Sequence, residues 1–406
     1  MTETDESNNS QKPKLLMATS TFPRWEADPG PAPFVFELAV NLQKYFQVTV
    51  LAPHFPGAER HEVWDGIEVI RFKYLPENWQ TLADGQGLQN HLRKGRKEQL
   101  KAVAFMLGEF LAGWKILRSR KFDAVNSHWL VPSGLIFSLL CRHFKIEHIV
   151  TVHAADYFML NRIFYGKNIL RGIAKSAKAL IPVNQKMADG IKSLSAGSKV
   201  LVMPMGFDPE IFRNVDEQEL AALRKDIANE GKKLILFVGK LTEKKGLLGL
   251  LESIKILEKE TSNFKLLIVG RGKLKPKIER RASKLQIMHR VKLAGAVPHD
   301  KIPLYYRLAD VVVVPSLPDQ YGESEGMPVV LLEALASGKP VVGTSFCSAP
   351  ENLKLAGFIE TDGTSPEAIA KSLKKALSGE FQSDFSRVDQ YSWQEVAKFY
   401  SGVISG

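Results

Sequence analysis

Short apolar runs alternate with helix-period segments almost from one end of this chain to the other, and that rhythm leaves few folds open. Residues 14–20 read as a first strand that ends in a long loop over 22–33 containing Pro and Gly. Val35, Leu38, Ala39 and Leu42 then recur at helical spacing, and residues 48–52 form a second strand. Residues 124–126, 149–152, 179–183 and 200–204 read as further strands of this first set. A second set begins at 233–238 and continues through 265–269, 291–293, 311–314 and 341–343, each followed by a helix-like segment. The expectation is an α/β protein built on parallel sheets. At 406 residues the chain exceeds one ordinary core, so two domains are expected. Turn chemistry at Gly206, Asp208 and Pro209 puts the boundary there. The N-terminal domain then spans 12–206 and the C-terminal one 207–392, after a polar tail, 1–11, expected to be disordered.

Composition narrows the classes. Two cysteines, Cys141 and Cys347, make neither a disulfide framework nor a zinc spacing and suggest a reducing, cytoplasmic setting. Residues 1–11 lack a signal peptide's basic start and apolar run, and apolar stretches such as 130–140 are too short and interrupted to span a bilayer. Export and membrane spanning are therefore not expected. The net charge is +11, with 26 Lys/Arg against 18 Asp/Glu in residues 1–206. A basic half attracts nucleic acid, an anionic membrane face or a phosphorylated substrate, and charge alone does not choose among them.

In open parallel sheets ligands bind beyond the carboxyl ends of the strands, so the loops after the strands hold the informative residues. The richest is 325–333, Glu-Gly-Met-Pro-Val-Val-Leu-Leu-Glu. Glu325 precedes Gly326, Met327 and Pro328 at a helix start, with Pro328 read as first-turn, and Glu333 follows eight positions later, roughly 12 Å along a helix axis. One carboxylate can face a sugar ring and the other a ribose, while the free N–H groups of the helix start meet a diphosphate between them. The plain alternative is one capping and one solvated carboxylate. Against it, Val330, Leu331, Leu332, Ala334 and Leu335 surround Glu333, and a carboxylate among them must be paired or used. Residues 237–246 place Lys240 and Lys245 in one loop, where they can neutralise a diphosphate leaving group or simply form a solvated basic loop. Gly270-Arg271-Gly272 follows a strand but has Lys275 where a dinucleotide fingerprint needs its third glycine, so that fingerprint fails.

These segments, taken in order with Ala309-Asp310, Pro315-Ser316 and residues 338–342, resemble the retaining glycosyltransferases of the GT-B fold. The likeness is to the group carrying two glutamates separated by seven residues, in the form found in bacterial exopolysaccharide transferases. It covers nearly the whole chain after the tail. Residues 203–208 resemble the family's interdomain segment, and 391–393 the start of its last helix. The resemblance implies two Rossmann-like domains with parallel sheets facing across a cleft, and a C-terminal helix, 393–406, crossing back to the first domain. It implies a nucleotide-sugar donor held by Lys240, Lys245, Gly270, Arg271, Gly272, Val297, Gly326, Met327 and Glu333, with Glu325 catalytic and the 270–272 and 294–297 loops flanking the base. In the N-terminal half it implies Arg24 and Gly30 near the phosphates or acceptor, and His153 with Asp156 at the reaction centre. A strand-end histidine satisfied by its neighbours is the plain reading of His153, and it is the favoured one for His128.

Three departures stand out. Lys240 replaces the usual arginine and loses its bidentate fork, Pro29-Gly30-Pro31 replaces a glycine pair, and residues 346–350, Phe-Cys-Ser-Ala-Pro, replace a Gly-rich loop. The expected reaction is glycosyl transfer with retention, without metal or other cofactor, to a glycan or lipid-linked acceptor in envelope or exopolysaccharide synthesis. A catalytically weak nucleotide-sugar-binding relative is the alternative. A nucleic-acid-binding protein would explain the charge, but no recognised module accompanies it, so no nucleic-acid partner is expected. Residues 91–121 hold nine Lys/Arg, two acids and an apolar run. They read either as a core helix with charged ends or as a basic amphipathic segment resting on the inner face of the cytoplasmic membrane.

Overall fold

The computed structural model describes residues 12–26, 28, 32–84, 88–227, 231–319, 322, 325–381 and 383–406. Gly30, the Pro29–Pro31 departure and the 1–11 tail lie outside them. The chain divides into two compact units: residues up to Pro182 with Ala188–Leu201 and Ala397–Gly406, and Val183–Met187 with Val202–Val396.

The first unit holds a seven-stranded sheet of β1 (Lys14–Thr19), β2 (Gln47–Pro53), β3 (His61–Trp64), β4 (Ile67–Phe72), β5 (Ala124–His128), β6 (Glu147–Val152) and β7 (Ala179–Pro182). Their spatial order is β3-β4-β2-β1-β5-β6-β7. All pairs are parallel except the edge pair β3·β4, joined through Asp65 and Gly66, both at positive φ. β1 and β2 are buried on both faces after their first residue, as a central parallel strand must be. Residues 200–204, expected as a strand, form only an isolated bridge from Val200 to Leu180.

The second unit holds a six-stranded, all-parallel sheet of β8 (Lys233–Val238), β9 (Phe264–Val269), β10 (Val291–Gly295), β11 (Val311–Val314), β12 (Val341–Gly343) and β13 (Phe358–Glu360), ordered β10-β9-β8-β11-β12-β13. Leu234, Leu236, Val312, Val314 and Leu332 pack on one of its faces, and Ile235, Phe237, Val311, Val313 and Val342 on the other.

Both sheets reverse direction once. From β1 the chain steps outward to β2 and β4, then returns to start β5 on the other side of β1. From β8 it steps to β9 and β10, then returns to start β11 on the other side of β8. Loops leaving the two strands at such a reversal splay apart and open a crevice at their carboxyl ends. The last helix, Trp393–Ser405, starts in the second unit, where Trp393 N donates to Phe207 O, 3.1 Å. Its final residues belong to the first, where the Tyr400 hydroxyl lies 3.1 Å from Thr151 Oγ1.

Candidate functional site

In the second unit the loops after β8 and β11, the two strands at the reversal, are tied to each other along their length. Leu317 N donates to Lys244 O, 2.8 Å, and Lys244 Nζ pairs with Asp319, 3.3 Å. Gly246 sits at φ +66°, and a Cβ there would stand 1.8 Å from Pro315 O, so only glycine admits this approach. The result brings Lys245 Nζ to 3.1 Å from Glu325 Oε1, with both side chains largely shielded. Lys245 reaches it across Gly239, whose missing Cβ would lie 3.8 Å from Lys245 Cε. Lys240, in the same loop, is exposed.

The loop after β9 is laced to the loop after β8 by backbone alone. Leu241 N donates to Arg271 O and Leu274 N to Leu241 O, while Gly270 N donates to Gly295 O, 2.7 Å. A Cβ at Gly270 would meet Gly239 O at 1.9 Å, and one at Gly272 would meet Leu241 O at 2.3 Å. These glycines thus have a packing reason of their own. Val297 packs on the core and lines a cavity of about 550 Å³ with Ala294, Leu223, Lys301 and Tyr305. One wall of that cavity, the helix Glu217–Ile227, has no motif to announce it.

Glu325 is not part of the following helix. That helix runs Val329–Ala336 with Pro328 as its N-cap at extended ψ, so Pro328 stands just outside the first turn and the eight steps from Glu325 to Glu333 are not all helical. No side chain caps the helix start and no acid sits in its first turn. At the other end Gly338 N donates to Leu335 O and Lys339 N to Ala334 O, the paired bonds of a glycine-terminated helix. Met327, just ahead of Pro328, packs on the core.

Glu333 is buried, and its Oε2 accepts a 2.7 Å hydrogen bond from the hydroxyl of Tyr306, itself wholly buried on the helix Ile302–Leu308. Burial raises the Glu333 carboxyl; the Tyr306 bond and the charges of His299 and Lys245 pull the other way. The expectation that Glu333 must be paired or used is met by a tyrosine that the sequence did not single out. Tyr306 falls on the buried face of an apolar helix and reads there as core.

In the loop before Glu351, Ser348 adopts φ +51°, a left-handed conformation suited to glycine. Cys347 Sγ lies 3.2 Å from Val314 O, and burial pushes its thiol up to about 12.

In the first unit the reversal lies between β1 and β5, and His128 ends β5 opposite Thr19. His153 follows β6 as the N-cap of the helix Ala154–Leu160. The two imidazoles meet, His128 Nδ1 to His153 Nε2, 3.2 Å. Trp129 and Phe34 close around them, with centroids 4.5 and 5.2 Å from the His153 ring. Burial lowers His153 to about 3 and His128 well below its usual value, so both rings are neutral and one donates to the other. Trp129 stands at φ +69°, a strained backbone for a bulky residue.

Asp156 holds the backbone of His153 but makes no bond to its imidazole, whose partner is His128. Its Oδ2 accepts from Leu130 N, and it sits in the first turn of the helix Ala154–Leu160, holding the Trp129–Leu130 corner against that helix. Burial raises its carboxyl to about 7, against the pull of the surrounding backbone N–H groups. Arg24 is likewise engaged: Asp28 takes its Nε at 2.8 Å and an Nη at 3.0 Å, and raises its pKa. Among the described residues no group of three or more His, Cys, Asp or Glu is placed to hold a metal ion.

Residues 30–211 match Glycosyltransferase Family 4, and residues 221–391 match Glycosyl transferases group 1. The amylovoran biosynthesis glycosyltransferase AmsK of Erwinia amylovora is 30% identical over 237 residues, 58% of this chain. The chain spans 53% of AmsK's own length and 63% of that of another curated glycosyltransferase. Sucrose-phosphate synthase from Thermosynechococcus elongatus shares the fold with TM-score 0.73 at 17% identity, covering 96% of this chain and 98% of that one. Anabaena Alr3699/HepE, solved in complex with UDP, does so with TM-score 0.67 at 14% identity, covering 97% and 99%. With its two parallel-sheet Rossmann-like units, this chain belongs to the group 1 glycosyltransferases of the GT-B fold.

Proposed function

We propose that the chain transfers a sugar, with retention of anomeric configuration, from a nucleotide-sugar donor to a glycan or lipid-linked acceptor of envelope or exopolysaccharide synthesis. The observation that carries this reading is the Lys245–Glu325 pair, held at the reversal of the second sheet beside an uncapped helix start. A lysine, the N–H groups of that start and exposed Lys240 together suit the two charges of a nucleoside diphosphate leaving group. A diphosphate competes with Glu325 for Lys245, which frees the carboxylate for a hydroxyl of the transferred sugar. Glu333, fixed by Tyr306, is assigned to the ribose, and the loops carrying Arg271 and Val297 to the base. The relatives named for amylovoran and, in Bacillus subtilis, teichuronic acid biosynthesis support a polysaccharide acceptor.

The neutral His128–His153 pair is assigned to transfer rather than donor binding. Neutral imidazoles suit hydrogen bonding to sugar hydroxyls, and Asp156 serves by fixing the corner they stand on. Lysines and helix N–H groups replace a metal in this reading. No helix among the described residues is long and apolar enough to cross a membrane, and work at the inner face of the cytoplasmic membrane is proposed from the basic first unit. Thermal shift against a panel of nucleotide sugars, followed by transfer assays with and without EDTA, tests the whole. A stabilising donor that is turned over in EDTA supports it. Stabilisation without hydrolysis or transfer makes the chain a binding relative, and activity rescued only by magnesium or manganese removes the metal-free step.

A further inference from the structure

The helix Arg96–Ser119 is 24 residues long and has two apolar sides. One is buried on the first unit through Ala102, Phe105, Gly113, Ile116 and Leu117. The other faces solvent: Leu100, Val103, Leu107 and Leu111 are 71, 65, 57 and 58% exposed. Their spacing of three, four and four puts them on one stripe. The exposed ends of that stripe are basic, with Arg96 and Lys97 before it and Lys115 and Arg118 after it, and none of these four has an ion-pair partner among the described residues. The two acids of the helix are elsewhere, Glu98 paired with Lys101 at 2.8 Å and Glu109 wholly buried.

Beside the stripe, between this helix and β4, lies a cavity of about 390 Å³ lined by Arg60, Lys73, Lys115 and Arg120 together with Phe72 and the last residue of the stripe, Leu111. Lys73 and Arg120 are engaged by Glu77 and Glu68, at 2.8 and 2.6 Å; Arg60 and Lys115 have no such partner among the described residues. Arg71, 2% exposed, also lines it, but is already engaged: its Nε faces Glu62 at 3.6 Å and an Nη donates to Pro23 O at 2.7 Å. A core helix has no reason to expose four large aliphatic side chains in a row, and a nucleic-acid surface has no use for them. Apolar side chains between unpaired cations match an interfacial helix, whose stripe sinks among acyl chains while the cations meet phosphates.

We propose that this face lies on an anionic lipid bilayer, with Leu100, Val103, Leu107 and Leu111 inserted and the basic cavity receiving a lipid phosphate headgroup. The inference deepens the membrane-face reading of the proposed function and names its surface. It orients the first unit with the helix Arg96–Ser119 flat against the membrane.

The test is co-sedimentation of the full chain with phosphatidylcholine vesicles, with and without phosphatidylglycerol, beside calorimetry against UDP, GDP and ADP. The wild type is expected on the anionic vesicles at low salt, released at high salt, and absent from the neutral ones. Leu107→Ser with Leu111→Ser, both at exposed positions, should lower partitioning about tenfold or more, as should Lys115→Glu with Arg60→Glu, while melting temperature stays unchanged. Equal partitioning onto both vesicles, none onto either, or binding untouched by both double variants overturns the proposal. So does a wild-type dimer in sedimentation equilibrium that the leucine variants abolish, which would give the stripe to a second copy. Loss of nucleotide binding with intact vesicle binding counts against the donor reading alone, and the reverse against this one alone.

Discussion

The reversal in the second sheet is charged, partly exposed and built by glycines; the reversal in the first is buried, ring-lined and neutral. Lys245 and Glu325 stand as an ion pair where two loops are pressed together at Gly246. His128 and His153 share a hydrogen bond under Trp129 and Phe34, with burial driving His153 down to about 3. The same topological device therefore frames two environments, which the proposed function assigns to an anionic leaving group and to uncharged hydroxyls respectively. What differs is how each is held: by backbone lacing on one side, by aromatic packing on the other.

The largest effect is expected at the charged reversal. Lys245→Ala removes the cation and leaves Glu325 to repel a diphosphate. Transfer should fall about 10²–10³-fold, with donor affinity weakened by about 1.5–3 kcal/mol. Wild-type affinity and turnover at unchanged melting temperature would put the centre elsewhere.

His153→Ala should cost about 10²-fold in turnover with little change in nucleotide affinity. Because the ring is neutral, His153→Gln should recover part of that loss, and the pH–rate profile should keep its shape near pH 6.5. A profile that loses a limb in the variant would show a titrating histidine and break the contrast. Next comes Tyr306→Phe, which removes the hydroxyl that lowers Glu333. About tenfold weaker donor binding is expected, with a melting temperature reduced by a few degrees. An unaffected affinity would leave Glu333 a core carboxylate.

A smaller effect concerns stability. Burial holds Glu109 at about 8 against an ordinary 4.5, so the fold binds a proton that the unfolded chain releases. The contribution of this group is therefore fully present below about pH 4.5 and is lost as pH rises, the loss being complete above about 8. Glu109→Gln should flatten that slope and raise the melting temperature at pH 8 but not at pH 4. Equal shifts at both pH values would refute a protonated Glu109. Smallest of all, Ser348→Gly should relieve the left-handed strain for less than about 1 kcal/mol after glycine's own entropy cost.

The sequence was more readable at one reversal than at the other. Glu325, Lys245 and the glycines were visible because each stands in a short motif directly after a strand, although the contacts that join them run from one loop to another, and strands such as Val311–Val314 were visible because both faces are buried. β3 and β4 were missed: β4 alternates and its partner is a polar edge strand, so neither forms a solid apolar run. Tyr306 and the His128–His153 bond join residues 27 and 25 positions apart, which no local pattern reports. Asp156 was found but its partner was not, since a backbone N–H at Leu130 leaves no mark in the sequence.

The lacing of Leu241 to Arg271 and Leu274 through main-chain atoms has an evolutionary reading. A loop whose shape is set by peptide groups and three glycines does not depend on which side chains it displays. Positions 240, 271 and 273 can therefore change identity, as Lys240 illustrates, without disturbing the frame that presents them. If these loops hold the donor as proposed, its preference can drift by single substitutions at constant fold, and a library aimed at new sugars or bases is best confined to those positions, with Gly246, Gly270 and Gly272 left alone.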